Sequence, residues 1–391
     1  MLRRACRAVG AIVCLLLVIG CPRKPVIGVL LPTTGNASNY GESIESGIRL
    51  AVSDARERGQ MPGDLEVVFA DTESKPQQAA MQLSQLASDR GVKLFIAGAT
   101  SDEARALLPM LERHQVVCLS PSASAPSLTR DSHLFFRIYP SDELEGNTAG
   151  KFIFDRLSKG RVLLYVGDNE YVRGFEPEFR RQYEEKLGGA VVARIAVTEP
   201  GWEEKGAAKL KELKPEAVYI VGYAEEILEV LRHLKREQFE GFIVTTSAFD
   251  SSKVIQEAGP LAEGVVFPLP PFDRASDKEP VRGFVQRYMD THQRAPDILA
   301  AHGYDAMCLA IEVLKLAHPP ELAEIKKALR FGIQEYPGVT GPIMFDDFGN
   351  VKHYPKMYIV HDGQVVSYER YIESERNRIV RDLQQLLKPG Q

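Results

Sequence analysis

Cysteine is scarce in this sequence of 391 residues, which contains five. Three of them fall within the first 21 residues, and the other two are Cys118 and Cys308. Both lie in apolar segments far apart in the chain, so the short spacings typical of a zinc site are missing. The sequence therefore predicts two buried free thiols rather than a disulfide.

Positive charge is also in short supply. The chain has 48 lysines and arginines against 53 acidic residues, a formal net charge of −5. Loss of the three arginines near the N-terminus with an export signal would leave 45 basic residues and a net charge of −8. An acidic chain of this kind argues against nucleic acid as a partner.

Long hydrophobic runs are missing beyond the N-terminus, where MLRRACR precedes the thirteen-residue apolar run AVGAIVCLLLVIG. This run is too short to span a bilayer in the usual way, and the basic flank is typical of an export signal, which we assign to residues 1–20. The final Val18-Ile19-Gly20-Cys21 resembles the lipobox of bacterial lipoproteins. That resemblance implies acylation of Cys21, with residues 21–25 as a lipidated linker; a plain signal peptide with a chance cysteine is the alternative.

Catalytic signatures are missing too. The G-x-S-x-G, H-E-x-x-H and G-x-G-x-x-G patterns do not occur. The segment GNTAGK, residues 146–151, has one residue too few between its glycines for a phosphate-binding loop, and eight scattered histidines form no metal-ligand pattern. We therefore expect a protein that is not an enzyme and that has neither a metal nor a cofactor.

Short apolar runs alternate with helix-like stretches along the rest of the chain. Residues 41–58 illustrate the helical pattern, because apolar residues recur there at spacings of three and four, at Ile44, Ile48, Ala51 and Ala55. Eight strand candidates form two series, at residues 26–31, 65–70, 92–97, 116–119, 162–166, 191–197, 217–221 and 242–245. Alternation of this kind predicts parallel sheets covered by helices on both faces. Two series predict two α/β lobes.

The second half of the chain sets the lobe boundaries. A proline-rich segment after residue 267 is typical of a stiff connection between lobes. We assign residues 26–141 and 271–340 to lobe 1 and residues 142–270 and 341–372 to lobe 2. The predicted elements of the late segments are helices at 281–292, 298–316 and 321–331 and strands at 343–346, 356–361 and 364–369. Residues 373–391 are predicted to form a charged helix and a tail.

Small hydroxyl and aromatic residues gather after the predicted strands. Ligands bind at the carboxyl ends of the strands in open α/β sheets, so these positions are candidates for a binding site. They are residues 33–40, 98–102, 120–124, 168–171, 222–223 and 245–250. Thr100 and Glu103 also fit a capping box, a structural alternative that still leaves the amide and hydroxyl of Ser101 free for an anion.

The order and spacing of several short motifs carry a resemblance to a known family. The motifs are VIGVLLP at residues 26–32, Thr34-Gly35, Tyr40-Gly41 with Gly47, Asp71-Thr72, Ser120-Pro121, DNEY at 168–171, and GVTGP at 338–342 with Phe345-Asp346. Together they resemble the branched-chain amino acid binding proteins of ABC transporters, over about residues 24–372. The resemblance implies a type I periplasmic binding protein fold, with two Rossmann-like lobes, a three-stranded hinge and a ligand cleft between the lobes.

The resemblance also implies roles for individual residues. Tyr40 corresponds to an aromatic residue that packs on the ligand, and Ser101 to a serine that binds the ligand carboxylate. Ser124 corresponds to a residue that binds carboxylate and ammonium, while Tyr171 and Tyr223 correspond to aromatic residues that cover the ligand on closure. The full set of predicted ligand-binding residues is Tyr40, Thr100, Ser101, Ser122, Ala123, Ser124, Tyr171, Tyr223, Thr246 and Ser247.

One position departs from the family pattern. Thr246 or Ser247 stands where the leucine-binding members have an acid that pairs with the ligand ammonium. A buried ammonium needs such a partner, since leaving it unpaired costs several kcal/mol. Asp250 is the possible replacement, with Asp168 and Glu225 as further candidates; otherwise the ligand is a carboxylate or amide without an amine.

The expected function follows from the resemblance and the leader. The protein is expected to be exported and lipid-anchored to the bacterial cell membrane, on its periplasmic or extracellular face. There it would bind an amino acid or a related small carboxylate or amide and deliver it to the permease of an ABC transporter. The alternative is a lipoprotein that uses the same fold as a sensor or regulatory domain for an envelope protein.

Overall fold

The computed structural model describes residues 24–157 and 160–386. The predicted export signal, the lipidation candidate Cys21 and the end of the predicted tail lie outside the described residues. The strands are β1 (Val26–Leu31), β2 (Glu66–Asp71), β3 (Leu94–Ile96), β4 (Val117–Ser120), β5 (Phe135–Arg137), β6 (Arg161–Val166), β7 (Ala190–Ala196), β8 (Ala217–Val221), β9 (Phe242–Thr245), β10 (Val266–Leu269), β11 (Tyr336–Gly338), β12 (Gly341–Ile343), β13 (Lys356–His361) and β14 (Gln364–Ser367).

Helices connect most of these strands. They are α1 (Ser38–Glu57), α2 (Pro76–Gln85), α3 (Ser101–His114), α4 (Ser127–Asp131), α5 (Asp142–Leu157), α6 (Glu170–Arg180), α7 (Trp202–Leu213), α8 (Ala224–Arg236), α9 (Ser252–Ala258), α10 (Val281–His292), α11 (Ile298–Leu316), α12 (Leu322–Lys327) and α13 (Tyr368–Leu386). Wider turns extend α2, α6 and α12 by five or six residues.

Two sheets organise the chain. The first has the order β2-β1-β3-β4-β5, and all its neighbouring strands are parallel. The second has the order β14-β13-β10-β9-β8-β6-β7, in which β6 to β10 are parallel and β13 and β14 are antiparallel additions. The parallel parts of both sheets repeat one doubly wound strand order. The predicted fold class, two α/β lobes with parallel sheets, is confirmed.

A late helix returns to the first lobe and packs along α1. Buried residues run along nearly the whole length of α11, which explains its predominantly apolar sequence. Two glycines allow the close approach: a Cβ on Gly47 would lie 1.9 Å from the carbonyl oxygen of Ala300, and a Cβ on Gly303 would lie 2.3 Å from that of Ile44. The helix backbones therefore touch where any larger residue would separate them.

A buried arginine links two of the segments that connect the lobes. Arg137, at the end of β5, is only 1% exposed. Its Nε donates to Asn350 Oδ1 at 2.8 Å, and its Nη1 donates to the Ala125 carbonyl oxygen at 2.9 Å. Burial lowers the pKa of Arg137 to about 10, which leaves the guanidinium charged at neutral pH. Asn350 also receives the Thr129 hydroxyl at 2.9 Å, so the first and last connections are tied together.

The structure corrects three expectations about the elements. Strand β5 was not predicted, because its three residues are too few to show a period. The predicted strand at 343–346 is instead β12, which ends at Ile343. The last strand ends at Ser367, and the final helix begins at Tyr368 rather than at residue 373. The ring of Tyr368 packs edge-on against Phe152, 4.7 Å between centroids, which fixes the start of α13 on α5.

In residues 24–157 and 160–386, no helix combines the length and apolar character needed to cross a membrane.

The close contact of α1 and α11 makes a testable prediction. Gly47→Ala would place a methyl group against the Ala300 carbonyl oxygen, so the helices must move apart. We expect a loss of about 2–3 kcal/mol in the free energy of unfolding, measured by urea denaturation. Gly63→Ala is the matched control, because a Cβ there meets nothing within 4 Å. Equal stability of the two variants would contradict the packing described.

Candidate functional site

A small cavity, with a volume of about 20 Å³, lies between the carboxyl edges of the two sheets. This volume leaves room for about one water-sized molecule, so the walls must move apart before a larger ligand can enter. Its walls come from both lobes, from the loops that follow β3, β4, β5, β8 and β9 and from the first turns of α1, α6 and α11. The lining residues are Tyr40, Ala99, Thr100, Ser101, Ser122, Ser124, Tyr139, Tyr171, Tyr223, Ser247, Ala248 and Leu299.

Eight of the ten residues predicted to bind ligand lie in this wall, and Ala123 and Thr246 do not. The Ala123 amide donates to Ser120 Oγ at 3.0 Å, which makes it part of the loop rather than of the surface. Thr246 precedes the short turn Ser247–Phe249, and its buried hydroxyl finds no hydrogen-bond partner within the described ranges. The contacts of these ten residues with a ligand remain a prediction.

The N-terminus of α3 points into the cavity. Thr100 Oγ1 accepts from the Glu103 amide at 3.3 Å and so caps the helix, as predicted. Glu103 does not return this bond in the way a capping box would; its carboxylate receives the Thr72 hydroxyl instead. Burial raises the pKa of Glu103 to about 7. The cap leaves the amide of Ser101 directed at the second lobe.

The amide of Ser101 finds its partner across the cavity. It donates to Tyr223 Oη at 3.3 Å, and the same hydroxyl donates to Asp102 Oδ2 at 3.3 Å. Nearby, the Glu170 amide donates to Asp102 Oδ1 at 3.1 Å, and Arg105 pairs with Glu170 at 2.9 Å. These four contacts all join one lobe to the other. The structure is therefore in a closed arrangement, in which a tyrosine hydroxyl occupies the helix N-terminus.

The serines of the loop after β4 hold neighbouring loops together. Ser120 Oγ donates to the Gly98 carbonyl oxygen at 2.9 Å, and Ser122 Oγ donates to that of Ala99 at 2.6 Å. Ser101 Oγ accepts from the Ala125 amide at 3.3 Å. Small hydroxyl residues thus fix the shape of this wall, and their short side chains take up little space in the cavity. Because the Ser122 hydroxyl donates to the Ala99 carbonyl oxygen, its proton is not available to a ligand.

Aromatic rings form the opposite wall. The rings of Tyr171 and Tyr223 stack at 5.5 Å between centroids, and Tyr40 meets Tyr223 edge-on at 5.8 Å. Tyr139 completes the group and was missed in the sequence, because it follows the unpredicted strand β5. Leu299 was also missed, since it enters from the start of α11 rather than from a strand end.

The half-buried carboxylate of Glu226 holds Tyr223 in position. The Tyr223 amide donates to Glu226 Oε2 at 2.6 Å, which fixes the start of α8. Asn169 Nδ2 approaches the same carboxylate at 3.4 Å, while Asn169 Oδ1 accepts from the Val172 amide at 2.9 Å and caps α6. Glu226 therefore joins the starts of the two helices that carry the stacked tyrosines.

Asp250, the possible partner of a ligand ammonium, is engaged by other groups of the protein, and its contact with a ligand stays a prediction. Asp250 Oδ1 and Oδ2 accept from Arg274 Nη2 at 2.7 and 2.6 Å, and Oδ2 also accepts from the Ile298 amide at 3.0 Å. Its charge is thus neutralised inside the protein, outside the cavity wall. The two further candidates also lie outside the cavity wall. Asp168 is paired with Arg173 at the surface, and Glu225 is exposed.

Two other acids lie directly behind the wall. Glu145 Oε1 accepts from the Ser247 amide at 2.8 Å, and Oε2 accepts from Ser247 Oγ at 2.7 Å. Burial raises the pKa of Glu145 to about 7. Asp142, one turn earlier on α5, is fully buried, and burial followed by the charge of Glu145 raises its pKa well above the usual value. Sequence reasoning missed both, because acids in the first turn of a helix are usually solvent-exposed.

One group of potential metal ligands occurs in the described part of the chain. Glu263, His361 and Asp362 bring ligand atoms within 4.8 Å of one another. The group lies at the turn between β13 and β14, where Glu263 and Asp362 are exposed, so it is not part of the cavity. The cavity wall itself consists of hydroxyl, aromatic and small apolar residues.

Comparison with known proteins identifies the family. Residues 25–363 match the model of a periplasmic binding protein family, and the chain belongs to that family. A leucine-, isoleucine-, valine-, threonine- and alanine-binding protein of Pseudomonas aeruginosa is 26% identical over 328 residues, 83% of this chain and 86% of that protein.

Solved structures show the same fold. The branched-chain amino acid transporter substrate-binding protein of Streptococcus pneumoniae, in complex with isoleucine, has a TM-score of 0.80 and 24% identity over 88% of this chain and 98% of that one. A solute-binding protein from R. palustris in complex with benzoate has a TM-score of 0.77 and 21% identity over 88% of this chain and 95% of that one.

The ion pair of Asp250 can be tested directly. Arg274→Met leaves the buried Asp250 carboxylate without its cation, and we expect a loss of about 3–5 kcal/mol in the free energy of unfolding, measured by chemical denaturation at pH 7. Arg282→Met, which breaks an exposed pair with Glu279, is the control and should change little. A fully stable Arg274→Met variant would return Asp250 to the candidates for ligand contact.

Proposed function

We propose that the protein is an exported solute-binding lipoprotein that captures an amino acid or a related small carboxylate or amide. It delivers this ligand to the permease of an ABC transporter. The observation that carries the proposal is the Ser101 amide, which opens α3 at the interlobe cavity and now holds a tyrosine hydroxyl. The N-terminus of a helix favours an anion, so a ligand carboxylate is a better partner for this amide than a neutral hydroxyl.

The names of related proteins support both ligand classes. The relative from Pseudomonas aeruginosa is named for five apolar or small amino acids, and the Streptococcus pneumoniae structure contains isoleucine. The R. palustris structure contains benzoate, a carboxylate without an amine. A carboxylate is common to all these ligands, and it is the group that the N-terminus of α3 would bind.

Closure proceeds in two steps in this proposal. The ligand first docks on the open first lobe, with its carboxylate at the Ser101 amide and near Ser124. The second lobe then closes and adds Tyr171, Tyr223 and Ser247. A ligand that contacts both lobes binds the closed state more tightly and shifts the population toward it. Tyr223 must release the Ser101 amide when the carboxylate takes its place.

Membrane attachment is proposed from the leader. Acyl chains on Cys21 would hold the protein at the membrane surface, because two or more chains are needed for stable anchoring. Strand β1 starts at Val26, so the anchor at Cys21 would be joined to it by only a few residues. Such a short tether would keep the binding protein close to its permease.

A sensor or regulatory role is the second candidate. The family match ends at residue 363, and α13 extends beyond it. Ile379, Val380 and Leu383 are exposed on this helix, which leaves apolar surface available to a protein partner. A purified protein that binds no small carboxylate or amide would favour this second function.

The ligand site is tested by removing the Ser101 amide proton and the Ser124 hydroxyl. Ser101→Pro combined with Ser124→Ala should lower affinity at least tenfold, because proline fits the first position of a helix but has no amide proton to donate, and each lost contact with a charged group is worth more than about 1 kcal/mol. Isothermal titration calorimetry with the twenty standard amino acids and a set of aliphatic and aromatic carboxylates measures this, on protein that starts after Cys21.

The matched control is Ser53→Ala combined with Ser374→Ala, because both serines are exposed and lie away from the cavity. This control should bind as the unchanged protein does. Unaltered affinity in the Ser101→Pro, Ser124→Ala variant would show that the site is assigned wrongly.

The anchor is tested by Cys21→Ser in the full chain. The unchanged protein should enter the detergent phase of a Triton X-114 extraction and incorporate labelled palmitate, whereas the variant should do neither. Ligand affinity should be the same in both, since the cavity lies within the folded lobes. Labelled palmitate on the Cys21→Ser variant would rule out this residue as the acylation site.

A further inference from the structure

Amino acids and simple carboxylates differ in one group, the amine. The charges around the closed cavity indicate whether the site can hold that amine. Thr246 and Ser247 stand where the motif resemblance predicts an acid, and neither side chain carries a charge. Asp250 is neutralised by Arg274. A ligand ammonium would thus need another anion close to the second-lobe wall, because burying it unpaired costs several kcal/mol.

Glu145 approaches the wall from behind, at the position in question. Both of its oxygens bind Ser247, one through the backbone amide and the other through the hydroxyl. Ser247 lines the cavity, and its hydroxyl donates its hydrogen bond to Glu145. The lone pairs of this oxygen are therefore free to accept from a donor in the cavity. Ser247 therefore separates the Glu145 carboxylate from the cavity, so this carboxylate would not contact a ligand directly.

Other buried polar groups surround Glu145 in this corner. By distance and angle, Asp142, Tyr171 Oη and Thr246 Oγ1 form no regular hydrogen bond with the described residues, but the Tyr171 hydroxyl interacts with Glu145 and Thr246. Asp142 is 0% exposed and Tyr171, which lines the cavity, is 4% exposed. Of these three residues, Tyr171 lines the cavity and can meet a ligand directly, whereas Asp142 and Thr246 lie behind the wall.

We propose that Glu145 provides the negative charge that balances the ammonium of a ligand held between the lobes. The ligand is then an α-amino acid rather than a simple carboxylate. The ammonium donates to Ser247 Oγ and the carboxylate binds the Ser101 amide. In the leucine-binding members the motif resemblance implies an acid in the loop after β9, whereas here the acid would be supplied by the first turn of α5. This inference rests on the proposed solute-binding function and narrows its ligand class.

Proton linkage follows from the same geometry. Burial favours the protonated form of Glu145 in the unliganded protein, with a pKa of about 7. An ammonium beside it favours the carboxylate, so the pKa falls on binding and a proton is released at pH below about 7. Above that pH the carboxylate is already ionised, and release fades. The titratable groups that interact with Glu145 are Asp142 on the same helix and Tyr40, Tyr139, Tyr171 and Tyr219 on the facing elements.

The test compares two isosteric substitutions on one helix. Glu145→Gln removes the buried charge, and Glu143→Gln removes an exposed charge two residues away that pairs with Arg130 and Arg181. The probes are the twenty standard L-amino acids and their des-amino carboxylic acids, titrated by calorimetry at pH 8. We expect Glu145→Gln to lose at least tenfold in affinity for the tightest-binding amino acid. Glu143→Gln should keep that affinity.

The des-amino acid and the proton count separate charge from fold. Glu145→Gln should bind the des-amino acid at least as well as the unchanged protein does, because no ammonium is involved. At pH 6.5, titration in two buffers of different ionisation enthalpy should show proton release in the unchanged protein and less in Glu145→Gln. Circular dichroism checks the fold, and Asp142→Asn serves as a second variant with a smaller expected loss.

Two results would overturn the inference. One is unchanged amino acid affinity in Glu145→Gln; the other is an unchanged protein that binds the des-amino acids as tightly as the amino acids. In both cases the solute-binding function would stand. If no amino acid and no carboxylate bound, the proposed function would fail and this inference with it.

Discussion

The hydrogen bond from the Ser101 amide to Tyr223 Oη is the contact on which the closed structure depends. The first amides of a helix have no partner inside the helix and need an acceptor from elsewhere. In α3 that acceptor, Tyr223 Oη, comes from the other lobe. The Ser101 amide therefore gains this hydrogen-bond acceptor only when the lobes close. An anion that reaches this amide first competes with Tyr223 for it. Ligand affinity and lobe position are thereby coupled in the proposed function.

The rest of the fold brings these two groups together. Parallel strands place all their carboxyl ends at one edge of each sheet, and the two edges face each other across the cavity. Arg137 and Asn350 tie two connecting segments beside it, and the glycines of α1 and α11 bind a late segment to the first lobe. The wall residues are therefore positioned by contacts that lie outside the cavity wall.

Much of this arrangement could be predicted from local sequence. Helix α1 shows its buried face in the spacing of Ile44, Ile48 and Ala51, and Tyr223 follows a fully buried strand. Both signals arise within about ten residues, where periodicity is visible. Strand β5 was missed because three residues carry no period, and Tyr139 was missed with it.

The identity of the charged partners could not be predicted, for a different reason. Asp250 pairs with Arg274 across 24 positions, and Glu145 reaches Ser247 across 102. No local pattern distinguishes an acid that turns inward from one that faces water. Only the fold shows that Asp250 is neutralised and that Glu145 lies behind the cavity wall.

The most direct test of the account is a crystal structure of the protein bound to its tightest-binding amino acid, grown at pH 8. The account predicts the ligand carboxylate on the Ser101 amide, with Tyr223 Oη displaced from that atom and the ammonium at Ser247 Oγ. A ligand that lies outside the interlobe cavity, or one that leaves the bond between Ser101 and Tyr223 intact, would contradict it.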